Sequence, residues 1–283
     1  MVVFAGRLLP VLILACVPVM TAEAQDAVAM VTDVSGKVSF RDGHSVGITA
    51  QISSQQILTL ENGSRIVLVH MKTGEEFVFG GPCKIHLNAE GRPEGAQPMS
   101  VRKAAALQGS IRLKPAGLAQ ASLVLREVDT NAPTGTSEFA PRGPVLLEPL
   151  PEFHWKAAGT GATYRLQISD RGGELLLDLT LDEPGLKLPE HLALTEGGSY
   201  TWVLRTTIKG ETQTESGKFK LLPKAQREQL QLALPKAGAS FSERLVYAAF
   251  LDQFELRDEA RKHWKALAKE RSEDEALKAL SER

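Results

Sequence analysis

The chain has 283 residues, of which 43% are hydrophobic and 24% are charged, and its 33 basic residues nearly balance its 34 acidic ones. This composition is ordinary for a globular protein of about two domains plus an appendage, and it argues against general disorder. Because the net charge is close to zero and no long run has one sign, nucleic acid and anionic membrane surfaces are poor candidates as partners.

Residues 1–24 have the pattern of an export signal. Arg7 supplies a positive start, an apolar run follows from Leu8 to Met20, and Ala22-Glu23-Ala24 matches the small-x-small sequence that signal peptidase cleaves. The apolar run is shorter than the ~20 residues that span a bilayer. We therefore expect cleavage after Ala24 and export of the mature chain.

A second interpretation of the N-terminus is lipidation. Ile13-Leu14-Ala15-Cys16 loosely resembles a lipobox, in which Cys16 would carry lipid and hold an outer-membrane lipoprotein at the membrane surface. The segment Val17-Pro18-Val19-Met20 stays apolar where a lipoprotein normally becomes polar. Plain cleavage is favoured, and peripheral membrane association is expected only if Cys16 is lipidated.

Residues 25–128 are predicted to form an all-β domain. Short alternating segments are separated by glycine turns, among them Asn62-Gly63, which suits a tight hairpin. Ile66 to Met71 is apolar on both faces, which predicts a strand buried on two sides. Cys83 is the single cysteine left after cleavage and alternates with apolar residues, so we expect a small core residue; a reactive thiol or a bond to another chain is the alternative.

This segment resembles the FecR-type domain of bacterial envelope proteins. The resemblance is carried by Gly36-Lys37-Val38, by Glu61-Asn62-Gly63-Ser64 and by a strand leading into Gly80-Gly81-Pro82. It implies a periplasmic location and a role in envelope sensing. The membrane-bound sensors of that family also have a cytoplasmic segment and a transmembrane helix that contact a sigma factor; this sequence shows neither pattern, so we expect any sensing role to be indirect.

Residues 129–145 are predicted to be a linker, because they are rich in Thr, Ser, Ala, Gly and Pro. Residues 146–222 are predicted to form a β-sandwich, because at least four segments each present one apolar stripe. The stripes are Phe153 with Trp155; Tyr164, Leu166 and Ile168; Leu175, Leu177, Leu179 and Leu181; and Tyr200, Trp202 and Leu204. The pattern resembles a fibronectin type III or immunoglobulin-like module, which implies binding or spacing rather than catalysis.

Residues 223–283 are predicted to form an α-helical appendage, with a first helix over Lys224 to Leu234. Ser240 with Glu243, and Ser272 with Glu275, are predicted capping boxes at the starts of two later helices. The intervening sequence resembles one tetratricopeptide-like helix pair. A single such unit cannot bury its own apolar faces, so we expect this helical hairpin to pack on the sandwich, on a second copy or on a partner protein.

Three sets of residues carry side chains that could support metal binding, acid-base catalysis or sugar binding. Cys83 and His86, with His70 nearby, could suggest a metal site, but strand residues three apart point to opposite faces. Asp178 and Asp182, with Glu183, could suggest paired catalytic carboxylates, but they alternate with leucines as on a solvated face. The third set consists of the aromatic residues Trp155, Tyr164, Tyr200 and Trp202, with Trp264 on a helical stripe. Their rings could stack on sugar rings, but their alternation is better explained by packing in a hydrophobic core.

The sequence contains no Walker loop, dinucleotide glycine fingerprint or His-Glu-x-x-His motif. It therefore predicts a mainly β, multidomain, exported protein that is not an enzyme, with no catalytic, cofactor-binding or metal-binding residue assigned. The expected function is protein binding or scaffolding in the periplasm, with an envelope protein as partner. A peptidoglycan- or polysaccharide-binding module is one alternative, and an unrecognised hydrolase is another.

Overall fold

A computed structural model describes residues 27–54, 56–103, 138–141 and 143–282. These residues form a mainly β, multidomain structure with 40% strand and 22% helix, which confirms the predicted fold class. The predicted export signal, the lipobox and most of the predicted linker lie outside the described residues.

The N-terminal β unit consists of two sheets that pack face to face. Its five-stranded sheet has the order β3-β1-β5-β6-β9, and its four-stranded sheet has the order β2-β4-β7-β8. The core between them is built from aliphatic and phenyl side chains that include Ile52, Leu68 and Phe79. The strands are β1 Ala27–Ser35, β2 Val38–Phe40, β3 Gln51–Ser53, β4 Ile57–Leu60, β5 Arg65–His70, β6 Glu75–Gly80, β7 Cys83–Leu87, β8 Pro93–Glu94 and β9 Ser100–Lys103.

Strand β5 is buried on both faces, as its sequence predicts. Ile66 and Leu68 contribute to the core between the two sheets, whereas Val69 lies on the opposite face in a second apolar cluster. The turn between β1 and β2 needs glycine at Gly36, because that residue has a φ of 71° and a Cβ there would lie 2.8 Å from the Cα of Ser64, just before β5. Contacts with residues of other segments therefore constrain both the side chains of β5 and the conformation at Gly36.

The second β unit is a sandwich of unequal sheets. Its large sheet has five strands in the order β10-β16-β15-β12-β13, and the facing sheet has only two, β11 and β14. A short 3₁₀ turn, Glu190–Leu192, follows β14. The strands are β10 Val145–Leu146, β11 Glu152–His154, β12 Thr163–Asp170, β13 Leu175–Leu181, β14 Gly185–Lys187, β15 Ser199–Ile208 and β16 Glu211–Leu221.

The described end of the predicted linker packs on this sandwich. Phe139 is buried, and its ring stacks on Trp202 with 3.8 Å between centroids. The next residue, Ala140, forms a β-bridge with His154. The composition of this stretch predicts a spacer. In the structure, the side chain of Phe139 packs in the sandwich core and holds the described end of the stretch there.

The leucine stripe of β13 is buried less than predicted. Leu177 is buried in the sandwich core, but Leu175 is 52% exposed and Leu179 is 38% exposed. Strand β13 is the last strand of the five-stranded sheet, and the two-stranded sheet opposite is too narrow to cover it. Alternation in the sequence gives the face of a side chain, but not whether a second sheet lies over it.

Four helices follow: α1 Lys224–Ala233, α2 Phe241–Gln253, α3 Arg257–Glu270 and α4 Glu275–Glu282. The predicted capping box of Ser240 and Glu243 is present at α2. The box predicted for Ser272 and Glu275 is wrong, because Asp274 Oδ1 accepts the Leu277 N–H at 3.0 Å. Since α4 begins at Glu275 itself, the residue just before it is the one placed to cap.

The helices pack mainly on the outer face of the N-terminal five-stranded sheet. Met30 and Val69 of that sheet belong to one apolar cluster with α1 to α4, and Val145 and Leu222 of the sandwich join it at the edge. Ser242 Oγ donates a hydrogen bond of 2.7 Å to Thr32 Oγ1. The main support of the helical layer is therefore the N-terminal β unit, which was not among the three expected supports.

Candidate functional site

The residues considered for metal binding are separated in the structure. His86 Nε2 lies 3.0 Å from Glu94 Oε2 in an exposed pair, whereas Cys83 Sγ donates weakly to the carbonyl of Gly80 at 3.5 Å. Burial raises the pKa of the Cys83 thiol, which disfavours the thiolate that metals and electrophiles require. Within the described part of the chain, no three His, Cys, Asp or Glu side chains are grouped to hold a metal ion.

His70 is a buried, hydrogen-bonded structural residue. Its Nδ1 accepts the Thr73 N–H at 2.9 Å, and its Nε2 lies 3.0 Å from the carbonyl oxygen of Glu90. Burial lowers the pKa of His70 below its usual value, so the ring is neutral near pH 7. The side chain ties the β5–β6 turn to the β7–β8 hairpin, and both of its ring nitrogens are occupied.

The carboxylates of β13 do not form an acid-base pair. Both Asp178 oxygens accept from Arg165, with Nε to Oδ1 and Nη2 to Oδ2 each at 2.7 Å. This hydrogen bonding from Arg165 lowers the pKa of Asp178 to about 2. Asp182 and Glu183 are exposed at the end of the strand. A general acid needs a pKa that is raised, not lowered.

The aromatic residues form core, as the sequence favours. Trp155, Tyr164, Tyr200 and Trp202 are all buried in the sandwich. Trp264 is 1% exposed, and its indole N–H donates to Asp252 Oδ2 at 2.7 Å. None of these rings presents a face on which a sugar could stack.

The surface with the clearest capacity for binding is the free edge of β13. This strand pairs with β12 on one side, and no described strand pairs with its other side. Exposed leucines accompany the unpaired backbone, with Leu175 at 52%, Leu176 at 36% and Leu179 at 38% exposure. An exposed edge combined with apolar side chains is a template for a further strand.

The backbone of β13 is held in place from its polar side. Arg165 on β12 grips Asp178, and Gln167 Nε2 also donates to Asp178 Oδ2 at 2.9 Å. Arg205 on β15 donates to Gln167, so this network crosses three adjacent strands. The edge is thus ordered before any partner arrives, which lowers the entropic cost of binding.

Charge at the ends of β13 is acidic. Glu174 precedes the strand, Asp182 and Glu183 follow it, and all three are exposed. Asp178 in the middle of the strand already has Arg165 as its counter-charge. The free edge therefore combines an apolar centre with negative ends.

Two other places expose large apolar side chains. Leu232 and Leu234 at the end of α1 are 77% and 54% exposed, but they carry no unpaired strand edge. Met99 and Val101 lie beside and within β9, which leads into residues that are not described. The edge of β13 is thus the better-defined surface.

The chain matches no protein-family model and no curated protein. Among the described residues, no helix combines the length and the apolar character needed to cross a bilayer.

Proposed function

We propose that this chain is an exported, non-enzymatic binding protein that receives an extended segment of an envelope protein along β13. The observation that carries the proposal is the free β13 edge, with an ordered backbone and exposed Leu175 and Leu179. The export pattern of residues 1–24 supports a periplasmic location. The FecR-type resemblance of the N-terminal β unit supports a role in envelope sensing or scaffolding.

The expected partner segment is extended, apolar at alternate positions and basic at its ends. Main-chain hydrogen bonds to β13 would supply affinity, and alternate side chains would cover the exposed leucines. Lysine or arginine at the ends would meet Glu174 and Asp182, which are exposed at the two ends of β13. This chemistry distinguishes the partner from an uncharged apolar strand.

A second copy of the chain fits this edge poorly. Antiparallel pairing of β13 with itself about Asp178 would set Glu174 of one copy opposite Asp182 of the other, by counting outward along the strand. Like charges directly opposite each other on neighbouring strands are destabilising. The acidic ends therefore favour a partner of different sequence.

The proposal is tested by photo-crosslinking in intact cells, with a photoreactive residue at position 179 and a control at 232. Leu179 and Leu232 are both exposed leucines, but only Leu179 lies on the free edge. We expect a discrete adduct with one envelope protein from position 179 and none from 232. Equal adducts from both positions would contradict the proposal, and an adduct of the chain with itself would indicate self-association.

The identified partner is then purified and its affinity for the mature chain is measured. We expect L175S/L179S to weaken binding by about tenfold or more, because apolar contact area is lost. The matched control L232S/L234S removes two exposed leucines elsewhere and should leave affinity unchanged. Unaltered affinity in L175S/L179S would overturn the assignment to β13. In a separate experiment, sedimentation of the mature chain together with isolated peptidoglycan would indicate glycan binding instead.

A further inference from the structure

A cleft of about 400 Å³ opens between the large sandwich sheet and the turn that joins α2 to α3. This volume is within the range of small-molecule sites. Its described lining includes six residues with cationic or aliphatic hydroxyl side chains: Arg171, Ser199, Thr201, Lys218, Lys220 and Arg257. The cleft is separate from the exposed leucines of β13, and an inference drawn from it does not rest on the proposed function.

The strands place these side chains on one face of the sheet. Phe219 packs in the sandwich core, so Lys218 and Lys220 on either side of it project from the opposite face. On the neighbouring strand β15, Thr201 is the partner of Lys218, and Ser199 is the partner of Lys220. The Cα positions of two lysines and two hydroxyl residues therefore form a compact square on this face.

Arg171 approaches this square from one side. It follows β12 in the turn to β13, and β12 lies two strands away from β16 in the sheet. With neighbouring strands about 5 Å apart, its backbone lies about 10 Å from that of Lys218 and Lys220. A guanidinium at the end of a long side chain spans that distance to a ligand held between them.

Arg257 approaches from the other side, because the helical layer reaches over the sandwich there. It is the first residue of α3 and lies two positions after Glu255, whose positive φ of 60° marks the turn between α2 and α3. A Cβ at Gly143 would lie 3.3 Å from the Cβ of Arg257, so glycine at this position leaves room for the Arg257 side chain to pass close to the backbone. The cleft thus joins the helical layer to the sandwich.

The positive charge in this cleft is locally unbalanced. Its described lining holds Arg171, Lys218 and Lys220 against one acidic residue, Glu255, although the whole chain has a formal net charge of -1. Arg165, on the same large sheet, has Asp178 as its ion-pair partner. For Arg171, Lys218 and Lys220, no carboxylate in the described part of the chain is within ion-pair distance. A concave surface of one sign concentrates counter-ions of the other.

We propose that this cleft binds a ligand that carries phosphate. A single carboxylate is satisfied by one guanidinium, whereas a phosphate dianion offers three acceptor oxygens and takes several cations together with hydroxyl donors. Lys218, Lys220, Ser199 and Thr201 supply that set at the centre of the cleft. Arg171 and Arg257 flank it, which leaves room for a second anionic group or for the body of an organic phosphate.

The proposal is tested by titrating the whole mature chain with inorganic pyrophosphate in a calorimeter at low ionic strength. We expect saturable binding with one site, which K218Q/K220Q weakens by about tenfold or more and R257Q weakens by a few-fold. Tricarballylate, which carries carboxylates in place of phosphates, is the comparison ligand and should bind at least about tenfold more weakly. Tighter binding of tricarballylate would overturn the phosphate assignment.

The matched control is K156Q/K187Q, which removes two exposed lysines of the sandwich that do not line the cleft. Its affinity for pyrophosphate should equal that of the unaltered chain. All variants change exposed residues, and a thermal melt followed by circular dichroism checks that each is folded. Absence of saturable binding, or equal weakening in the control, would refute a phosphate site in the cleft.

Discussion

The two large sheets of this protein have the same number of strands but different surroundings. The N-terminal sheet is covered on one face by a four-stranded sheet and on the other by the helical layer. The sandwich sheet has a two-stranded sheet on one face, and its other face carries polar side chains such as Arg165 and Lys218. The helices therefore cover apolar surface on the first sheet, whereas the second sheet carries exposed polar side chains on the corresponding face.

One pair of groups on each sheet makes the difference concrete. Glu76 lies under the helical layer at 0% exposure, and its Oε1 accepts from Arg102 Nε at 2.6 Å. Asp178 accepts from Arg165 at 2.7 Å on the open face of the sandwich, where both groups are in contact with solvent. The carboxylate of the first pair is therefore buried, whereas both groups of the second pair are partly exposed to solvent.

The largest expected effect comes from removing apolar contact between the helical layer and the covered sheet. Phe250 of α2 is fully buried in that cluster. We expect F250A to lower the free energy of unfolding by about 3–5 kcal/mol, because a large side chain leaves a cavity. Chemical denaturation followed by circular dichroism measures this change. A loss as small as that of L232A, which truncates a leucine that is 77% exposed, would show that the layer is only loosely attached.

Local parts of this comparison were predictable from sequence, and the contacts between distant segments were not. Ser240 and Glu243 predict the start of α2, because both residues of a capping box lie within four consecutive positions. The bond from Ser242 to Thr32 joins residues 210 positions apart. The hydrophobic periodicity of α2 and that of β1 do not indicate that these two elements pack against each other.

The two proposed binding surfaces were still harder to predict. The leucines of β13 alternate like a core stripe, and their exposure follows from the position of the strand at the edge of its sheet. The described lining of the cationic cleft comes from two strands, two turns, a helix start and Pro144 before β10, so Arg171 and Arg257 are far apart in sequence. Single lysines and arginines in a near-neutral chain give no signal until the fold brings them together.

The two ion pairs should respond differently to loss of their arginine. R102A leaves the buried Glu76 carboxylate without its cation, and we expect a loss of about 1–3 kcal/mol in the free energy of unfolding. R165A exposes Asp178 to water that already reaches it, so we expect a much smaller loss. Denaturation of the two variants side by side is the measurement. Equal losses would mean that the helical layer does not shield Glu76.

The smallest expected effect concerns the protonation of Asp178. Hydrogen bonding from Arg165 lowers the pKa of Asp178 to about 2, below its ordinary value of 3.8. Because the folded pKa is the lower one, the stabilising contribution is complete above pH ~4 and is lost as the pH falls towards ~2. A carbon-detected NMR titration of the Asp178 carboxyl should show a midpoint near 2 in the unaltered chain, and R165Q should move it up towards the ordinary range.

A midpoint near 4 in the unaltered chain would mean that Arg165 does not hold Asp178 in solution, and the ordered edge of β13 would lose its polar support. A midpoint near 2 has a further consequence for function. A carboxyl that is ionised at every pH above ~3 has no proton to donate near neutrality. In that case Asp178 is a permanently charged ion-pair partner of Arg165 that supports β13, and it does not act as a catalytic acid near neutrality.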